Sequence, residues 1–493
     1  MGEEKHMKFK KILSLATCVA TVATMLVGCG SNSGTAGSNS TTTSGGKEEK
    51  PTELVWYCIG NEPKDLSIVQ EKINEYLLEK MNTTVNMKFS GFGDYNQKIS
   101  MVINSGEDYD IAFTCSWAGD YLGNSRKGAF LDLTEYLDTD LKETYEAIDE
   151  RFWEGAKIDE KIYAIPTQKE IASAPMWRFT KEYVDKYNIP YEDLHTLEDL
   201  EPWLKVIKEN EPGVVPMYIA KGTRAPQLFD EIVEPVGVAF DDESLTVENL
   251  YGTDFLKSQL EILRRFFELG YINGDAATTD GDESVKRFVS KADGQPYADR
   301  LWSEQAGYEI VTSKVTDAYI TNGSTTGSMM AISSNSKNKE KAIEFLNLLN
   351  SDEYLKNLVV YGVEGIHYEK IGDKTIKYTD KHADYDIAAF AFGNLFINYV
   401  LEGEPETKWD EFQEFNDESI ASVALGFKFD TSNVTNELAA ITNVLEEFKY
   451  ALFSGSVDVD EYLNKMNTKL KEQGLDKVME EMQTQIDEWK AEK

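Results

Sequence analysis

Four side chains with binding chemistry stand just beyond apolar runs: Glu62 after Leu54-Val55-Trp56-Tyr57-Cys58-Ile59, Tyr95 after 84–89, and Trp117 and Asp120 after 109–115. An indole or phenol face stacks on flat partners, and a carboxylate offers about four lone-pair sites to hydroxyl donors. Such groups hold a solute rather than transform it, and for each of them a turn or cap role is the competing reading. Covalent chemistry has no matching signature. There is no G-x-S-x-G, no phosphate-binding G-x-x-x-x-G-K-[ST], no G-x-G-x-x-G and no H-E-x-x-H. His195, His367 and His382 are scattered, and Asp280-Gly281-Asp282-Glu283 lacks the Gly and terminal Glu of a calcium loop, so neither a metal nor a cofactor is expected.

The elements that must position these groups follow from periodicity. A continuous apolar run at 54–59 suits a parallel strand covered on both faces. The segment 64–81 carries Leu66, Val69, Ile73, Tyr76 and Leu77 on one helical face, 84–89 reads as a second strand, 95–104 as a short amphipathic helix and 109–115 as a third strand. This alternation predicts a doubly wound α/β lobe, in which ligands bind off the carboxyl ends of the strands. Cys58 and Cys115 fall at the ends of neighbouring strands. A disulfide or two core thiols both fit, and the geometry across adjacent parallel strands favours the thiols.

Length and charge narrow the class. A chain of 493 residues is too long for one core and predicts at least two lobes. A formal net charge of -37, from 50 Lys and Arg against 87 Asp and Glu, excludes a phosphate-binding surface and hence nucleic acid. With 8 Trp and 25 Tyr, the composition is compatible with a saccharide ligand.

The stretch GSMMAISSNSKNKEKAIEFLNLLNSDEYLKNLVVYGVEGIHYE, 327–369, reads as strand, turn, two helices and loop. Ala342, Leu346 and Leu349 make the buried stripe of the first helix, Ser351 is the expected cap of the second, and Gly362 the left-handed residue that ends it. The order of a small-residue strand, SxNxxKAxEFLNLL and GVEGIHYE resembles the sugar-type extracellular solute-binding proteins of bacterial ABC importers, in their LipO-like branch; Ile366 stands where that branch has Lys. The resemblance implies a two-lobed fold, each lobe a doubly wound sheet flanked by helices, with three crossings between lobes. Residues 53–175 and 313–369 would form the first lobe, and 176–312 and 370–493 the second. It implies crossings at 162–179, at 315–326 and at GVEGIHY, so that Trp177, Arg178, Glu364 and His367 would lie near the hinge and Trp302, in a polar loop, would face the cleft. Arg178 would pair with an acidic ligand or tie the lobes together. DIAAFAFGNLFINYVLEGEP, with Trp409, matches the branch's extra C-terminal region and would belong to the second lobe.

The N-terminus supports an exported, tethered receptor. Lys8, Lys10 and Lys11 precede an apolar run at 12–27, and Leu26-Val27-Gly28-Cys29 matches a lipobox, so 1–28 reads as a lipoprotein signal peptide and Cys29 as the lipidated residue. Residues 29–52 are a Ser/Thr/Gly-rich tether, whose segment 30–46 spans roughly 20 Å. The expected protein is a monomeric, membrane-tethered receptor on the outer face of the cell. It captures a small solute, an oligosaccharide by resemblance, and passes it to permease subunits. A peptide receptor and a surface glycan hydrolase, whose two carboxylates could be any among 87 acids, are the alternatives.

Overall fold

The apolar run that begins at Leu54 forms the strand Thr52–Ile59, in which Leu54, Trp56, Tyr57, Cys58 and Ile59 are all buried. A strand apolar on both sides requires cover on both faces. The computed structural model describes residues 50–492; the expected signal peptide, Cys29 and the tether up to residue 49 lie outside the described residues. In it Thr83–Ser90 and Ile111–Thr114 flank the first strand in parallel. Met329–Ile332 joins antiparallel to Ile111–Thr114, and Ile165–Pro166 completes a five-stranded sheet.

Helices cover this sheet as their stripes require. Leu66–Met81 buries Val69, Ile73, Leu77 and Met81, and Lys339–Ser351 buries Ala342, Ile343, Phe345, Leu346 and Leu349. The next helix, Glu353–Tyr361, is capped by Asp352 rather than by Ser351: its Oδ1 accepts from the Leu355 N–H at 2.8 Å. Gly362 follows at φ 78°, where a Cβ would lie 2.5 Å from His367 Nδ1, so both backbone angle and space demand glycine.

A second sheet has the order Ile310–Lys314, Ala174–Thr180, Arg287–Gly294, Val215–Met217. It is mixed, with its first three strands antiparallel and only the last pair parallel. Helices Leu197–Asn210, Asp254–Glu268, Thr435–Phe453 and Leu475–Glu492 share its core, the last burying Val478, Met482 and Ile486. Cys58 and Cys115 are free buried thiols of the first lobe.

The two sheets sit in two hydrophobic cores, and core membership locates the crossings. The chain leaves the first core between Met176 and Trp177, touches it at Ala298, Trp302 and Ile310, re-enters it by Ala318 and Ile320, and leaves again between Phe415 and Phe427. Two expectations change here. Residues 370–416 pack with the first lobe, because Phe392 meets Trp56 edge-on at 5.4 Å and the Tyr385 hydroxyl donates to the Val359 carbonyl at 2.8 Å. GVEGIHY is therefore a turn inside the first lobe, and the third crossing runs through the short strand Ile420–Ala421, which pairs in parallel with Tyr319–Ile320 of the second crossing.

Asn416 joins the third crossing to the first. Its Oδ1 accepts from the Ile171 N–H at 2.9 Å, and its Nδ2 donates to the Lys169 carbonyl at 2.8 Å. Arg151, held by Asp149 through both carboxylate oxygens, donates to the carbonyls of Asn416 at 2.7 Å and Ser419 at 2.9 Å. Because Asn416 is fully buried, Asn416→Ala strands two backbone groups and is expected to lower unfolding free energy by about 2 to 4 kcal/mol. Urea denaturation measures this, and an unchanged midpoint would show that the amide is not holding the crossings.

Candidate functional site

Three cavities of about 600, 500 and 430 Å³ meet along the crossings. The first is walled by Trp117, Phe390, Trp409 and Phe412, and the second lies between the second crossing and the second lobe, beside Tyr319, Phe240 and Gln227. The third has Asp120 and Tyr121 of the first lobe opposite Asp230, Glu231 and Lys428. Ser173 borders the first two and Gly323 the first and third, so the three cavities follow one another along the crossings.

Its first-lobe wall is a row of rings. Trp117 sits on the turn after Ile111–Thr114, 49% exposed, and its Nε1–H donates to the Gly327 carbonyl at 2.8 Å, which fixes the indole plane. Phe92, 48% exposed, stacks beside it at 6.3 Å, and Phe390 stacks on Phe92 at 6.4 Å. The Phe390 segment is pinned from below: the Ser328 hydroxyl donates to the Phe390 carbonyl at 2.7 Å, and buried Lys356 donates to the Phe392 carbonyl. Burial draws the Lys356 amine down to about 7. Trp409 extends the wall, its Nε1–H donating to the Asn398 carbonyl at 2.8 Å. Near the hinge Tyr319 and Phe240 lie face to face at 3.9 Å. Large rings left half in water, with their edges tethered, are a pre-organised stacking surface.

Of the residues expected at the site, Trp117 and Asp120 line the cleft. Asp120 also caps the helix Tyr121–Arg126, its Oδ1 accepting from the Gly123 N–H at 3.1 Å. Glu62 is exposed beyond the first strand and is not among the residues lining these three cavities. Tyr95 is a correction: it is fully buried, and its hydroxyl donates to the Phe113 carbonyl at 2.7 Å, so it cannot stack on a ligand. Trp177 is likewise core, its Nε1–H donating to the His195 carbonyl at 3.1 Å.

Arg178 and Trp302 meet each other. The guanidinium lies 5.0 Å over the indole, and Trp302, on the helix Ala298–Ala306 rather than in a loop, belongs to the first core. Arg178 thus packs its guanidinium on a buried ring. Glu364 is exposed on the first-lobe turn, and His367 is buried beneath it, its Nδ1 accepting from the Val363 N–H at 2.9 Å with Nε2 3.5 Å from Asp65. Neither lies at a crossing. Sequence reasoning missed Phe92, Tyr319, Phe240, Phe390, Gln227, Glu231, Asp230 and Lys428; only the aromatic density of DIAAFAFGNLF hinted at Phe390.

Between the lobes stand two buried charges. Lys428 Nζ donates to the Gly155 carbonyl of the first lobe and to Asn322 Oδ1 at 3.0 Å. Burial lowers its amine to about 7 against the pull of Glu154 and Asp230. Asp230 accepts from the Ser422 hydroxyl, and burial pushes its carboxyl up to about 6. The cleft as a whole presents rings on one wall and a polar array on the other, an arrangement suited to non-covalent capture.

Residues 60–356 match the profile of the family described as bacterial extracellular solute-binding protein, and residues 423–491 match a domain of unknown function, DUF3502. A protein of Streptococcus pneumoniae serotype 4 described as a carbohydrate ABC transporter substrate-binding protein is 34% identical over 493 residues, covering 98% of either chain. Among solved structures, the N-glycan transport solute binding protein NgtS of Streptococcus pneumoniae is 35% identical, with a TM-score of 0.81 over 89% of this chain and 98% of that chain. Its complex with Man5GlcNAc, also 35% identical, gives 0.66 over 90% of this chain and 99% of that chain. The complex with Man1GlcNAc gives 0.68 at the same identity, over 89% and 99%.

The Asp230 carboxyl provides a test of the interlobe charges. Folded, it keeps its proton up to about pH 6, whereas an unfolded Asp releases it near about 3.9. The wild type therefore loses stability as pH rises through that window, and an Asn at this position does not. Asp230→Asn is expected to gain on the wild type between about pH 4 and pH 6, reaching on the order of 2 to 3 kcal/mol at pH 7. Denaturation midpoints at pH 4 and pH 7 check this; an equal gap at both would mean that burial does not neutralise the group.

Proposed function

Because this chain belongs to the bacterial extracellular solute-binding proteins, we propose that its hinge cleft captures a neutral oligosaccharide outside the cell and delivers it to the permease of an ABC importer. The observation that carries this reading is the ring row of Trp117, Phe92 and Phe390, of which Trp117 and Phe390 border a cavity of about 600 Å³ and Trp117 and Phe92 stand half exposed. Pyranose rings have an apolar C–H face that suits such a row, whereas an extended peptide is recognised mainly through backbone hydrogen bonds at a sheet edge. The relatives named above are described as carbohydrate and N-glycan binding proteins of transport systems, none of them as an enzyme, and NgtS was solved with mannose-containing glycans. A net charge of -37 disfavours an anionic sugar. An oligomannose-type N-glycan fragment is the ligand class we favour.

Capture works by closure. A ligand that touches both lobes binds the closed arrangement more tightly and shifts the population towards it by that difference. The paired crossings at Tyr319–Ile320 and Ile420–Ala421 provide the pivot. The Cys29 lipid supplies the membrane attachment, so the receptor stays near its permease while the lobes move.

Three measurements test this. Titration calorimetry with Man5GlcNAc is expected to show binding, and Trp117→Ala to weaken it about fivefold or more, in line with roughly 1 kcal/mol of ring contact. Small-angle scattering at saturating glycan is expected to give a smaller radius of gyration; an unchanged value would remove the closure mechanism. Cys29→Ala is expected to move the protein from the membrane to the soluble fraction, and a wild type already soluble would refute the anchor.

A further inference from the structure

The second-lobe wall of the cleft holds acceptor oxygens with no donor. Arg224, Gln227 and Glu231 cluster where the chain enters the strand Phe229–Val233. Glu231 Oε1 is shared by two donors, Arg224 Nη2 at 2.7 Å and Gln227 Nε2 at 2.9 Å. Glu231 Oε2 and Gln227 Oε1 are buried without a hydrogen-bond partner among the described residues, and the Glu231 side chain is only 10% exposed. Gln227 lines the second cavity and Glu231 the third, so this hydrogen-bonded pair of side chains stands between the two, its free oxygens just beneath the surface. A buried acceptor left empty is a standing penalty, and a fold that keeps two of them side by side at a cleft wall has them available for donors that arrive from outside.

The charge around them selects the donor. Arg224 also reaches Glu234 at 3.5 Å, and Glu234 reaches Lys449 at 3.3 Å. Lys449 is also held by Glu446 at 2.7 Å, so two cations stand among three carboxylates and the network carries one net negative charge before any ligand enters. An incoming carboxylate would meet Glu231 itself, whereas hydroxyls donate to these oxygens without adding charge. We propose that Gln227 Oε1 and Glu231 Oε2 form a hydroxyl-accepting subsite that takes adjacent hydroxyl groups of the glycan on the second lobe, an inference that rests on the saccharide reading above. Stacking on Trp117 then engages one lobe and hydroxyl donation engages the other, which gives a bound sugar its preference for the closed arrangement.

The test uses the full chain and Man5GlcNAc, with monodeoxy mannosides as a second series. Gln227→Met keeps side-chain length and removes the acceptor; Glu231→Gln keeps shape and removes the charge. Each is expected to lower affinity at least tenfold with an unchanged circular dichroism spectrum. Wild-type protein is expected to lose at least fivefold on a monodeoxy analogue that lacks a donated hydroxyl, and Gln227→Met to be indifferent to the same deletion. Wild-type affinity retained within twofold by both variants would overturn the subsite while leaving the saccharide function standing. No wild-type binding to any glycan would overturn both. Should a variant fail to fold, the deoxy series on the wild type decides alone, and a flat response across every position overturns the subsite.

Discussion

Asn416 is fully buried between the first and third crossings, where its amide completes the hydrogen bonds of Lys169 and Ile171 as a neighbouring strand would. Backbone that crosses from one core to another has no sheet of its own on either side, yet its polar groups still require partners. Here they find each other: the amide serves the first crossing, the Tyr319–Ile320 and Ile420–Ala421 ladder joins the second to the third, and Arg151 holds the carbonyls of Asn416 and Ser419. The three crossings are therefore bonded to one another. All three cavities open against them, because Ser173 lies just beyond the first crossing's tie and Gly323 just beyond the second crossing's short strand.

The cleft built on these crossings divides its work between the lobes. The first lobe contributes flat apolar faces whose edges are fixed by backbone carbonyls, so little side-chain entropy is lost when a ring settles on them. The second lobe contributes a polar array in which Arg224 and Lys449 stand among Glu231, Glu234 and Glu446. Lys428 crosses between the cores to the Gly155 carbonyl and Arg178 packs over Trp302, each with a cation held largely out of water. Charges in such surroundings keep strong orientation, and they limit how the lobes approach each other. The C-terminal segment that matches DUF3502 shares in this directly, since Phe427, Lys428 and Phe429 line the third cavity while Val478, Met482 and Ile486 complete the second core.

Much of the first lobe was legible in sequence because its signals are local. The apolar run at 54–59, the stripe of Leu66–Met81 and the helix pair after Asn338 announce themselves over distances shorter than one element. The crossings were less legible. Two of the three fall where the family resemblance put them, but GVEGIHY looks like a linker and is a closed turn, since His367 accepts from the Val363 N–H only four residues away. The true third crossing contains Ile420–Ala421, two exposed residues with no periodicity to detect.

Residue type, without coordinates, also cannot separate a ring that packs from a ring that binds. Tyr95 and Trp117 both follow strand ends in the first lobe; Tyr95 opens the helix Tyr95–Ser105 on its buried face, beside Phe113, whereas Trp117 lies in a bend and stands half in water. By itself the sequence determined a two-lobed α/β chain, an acidic surface, the family and a supply of rings and carboxylates, because these depend on composition, periodicity and short ordered motifs. Only the tertiary structure decided that Trp117, Phe390, Gln227 and Glu231 line neighbouring cavities along the crossings. Those residues are separated by stretches of chain that three crossings fold back, and an acceptor is identified as unsatisfied only when every neighbour around it is known.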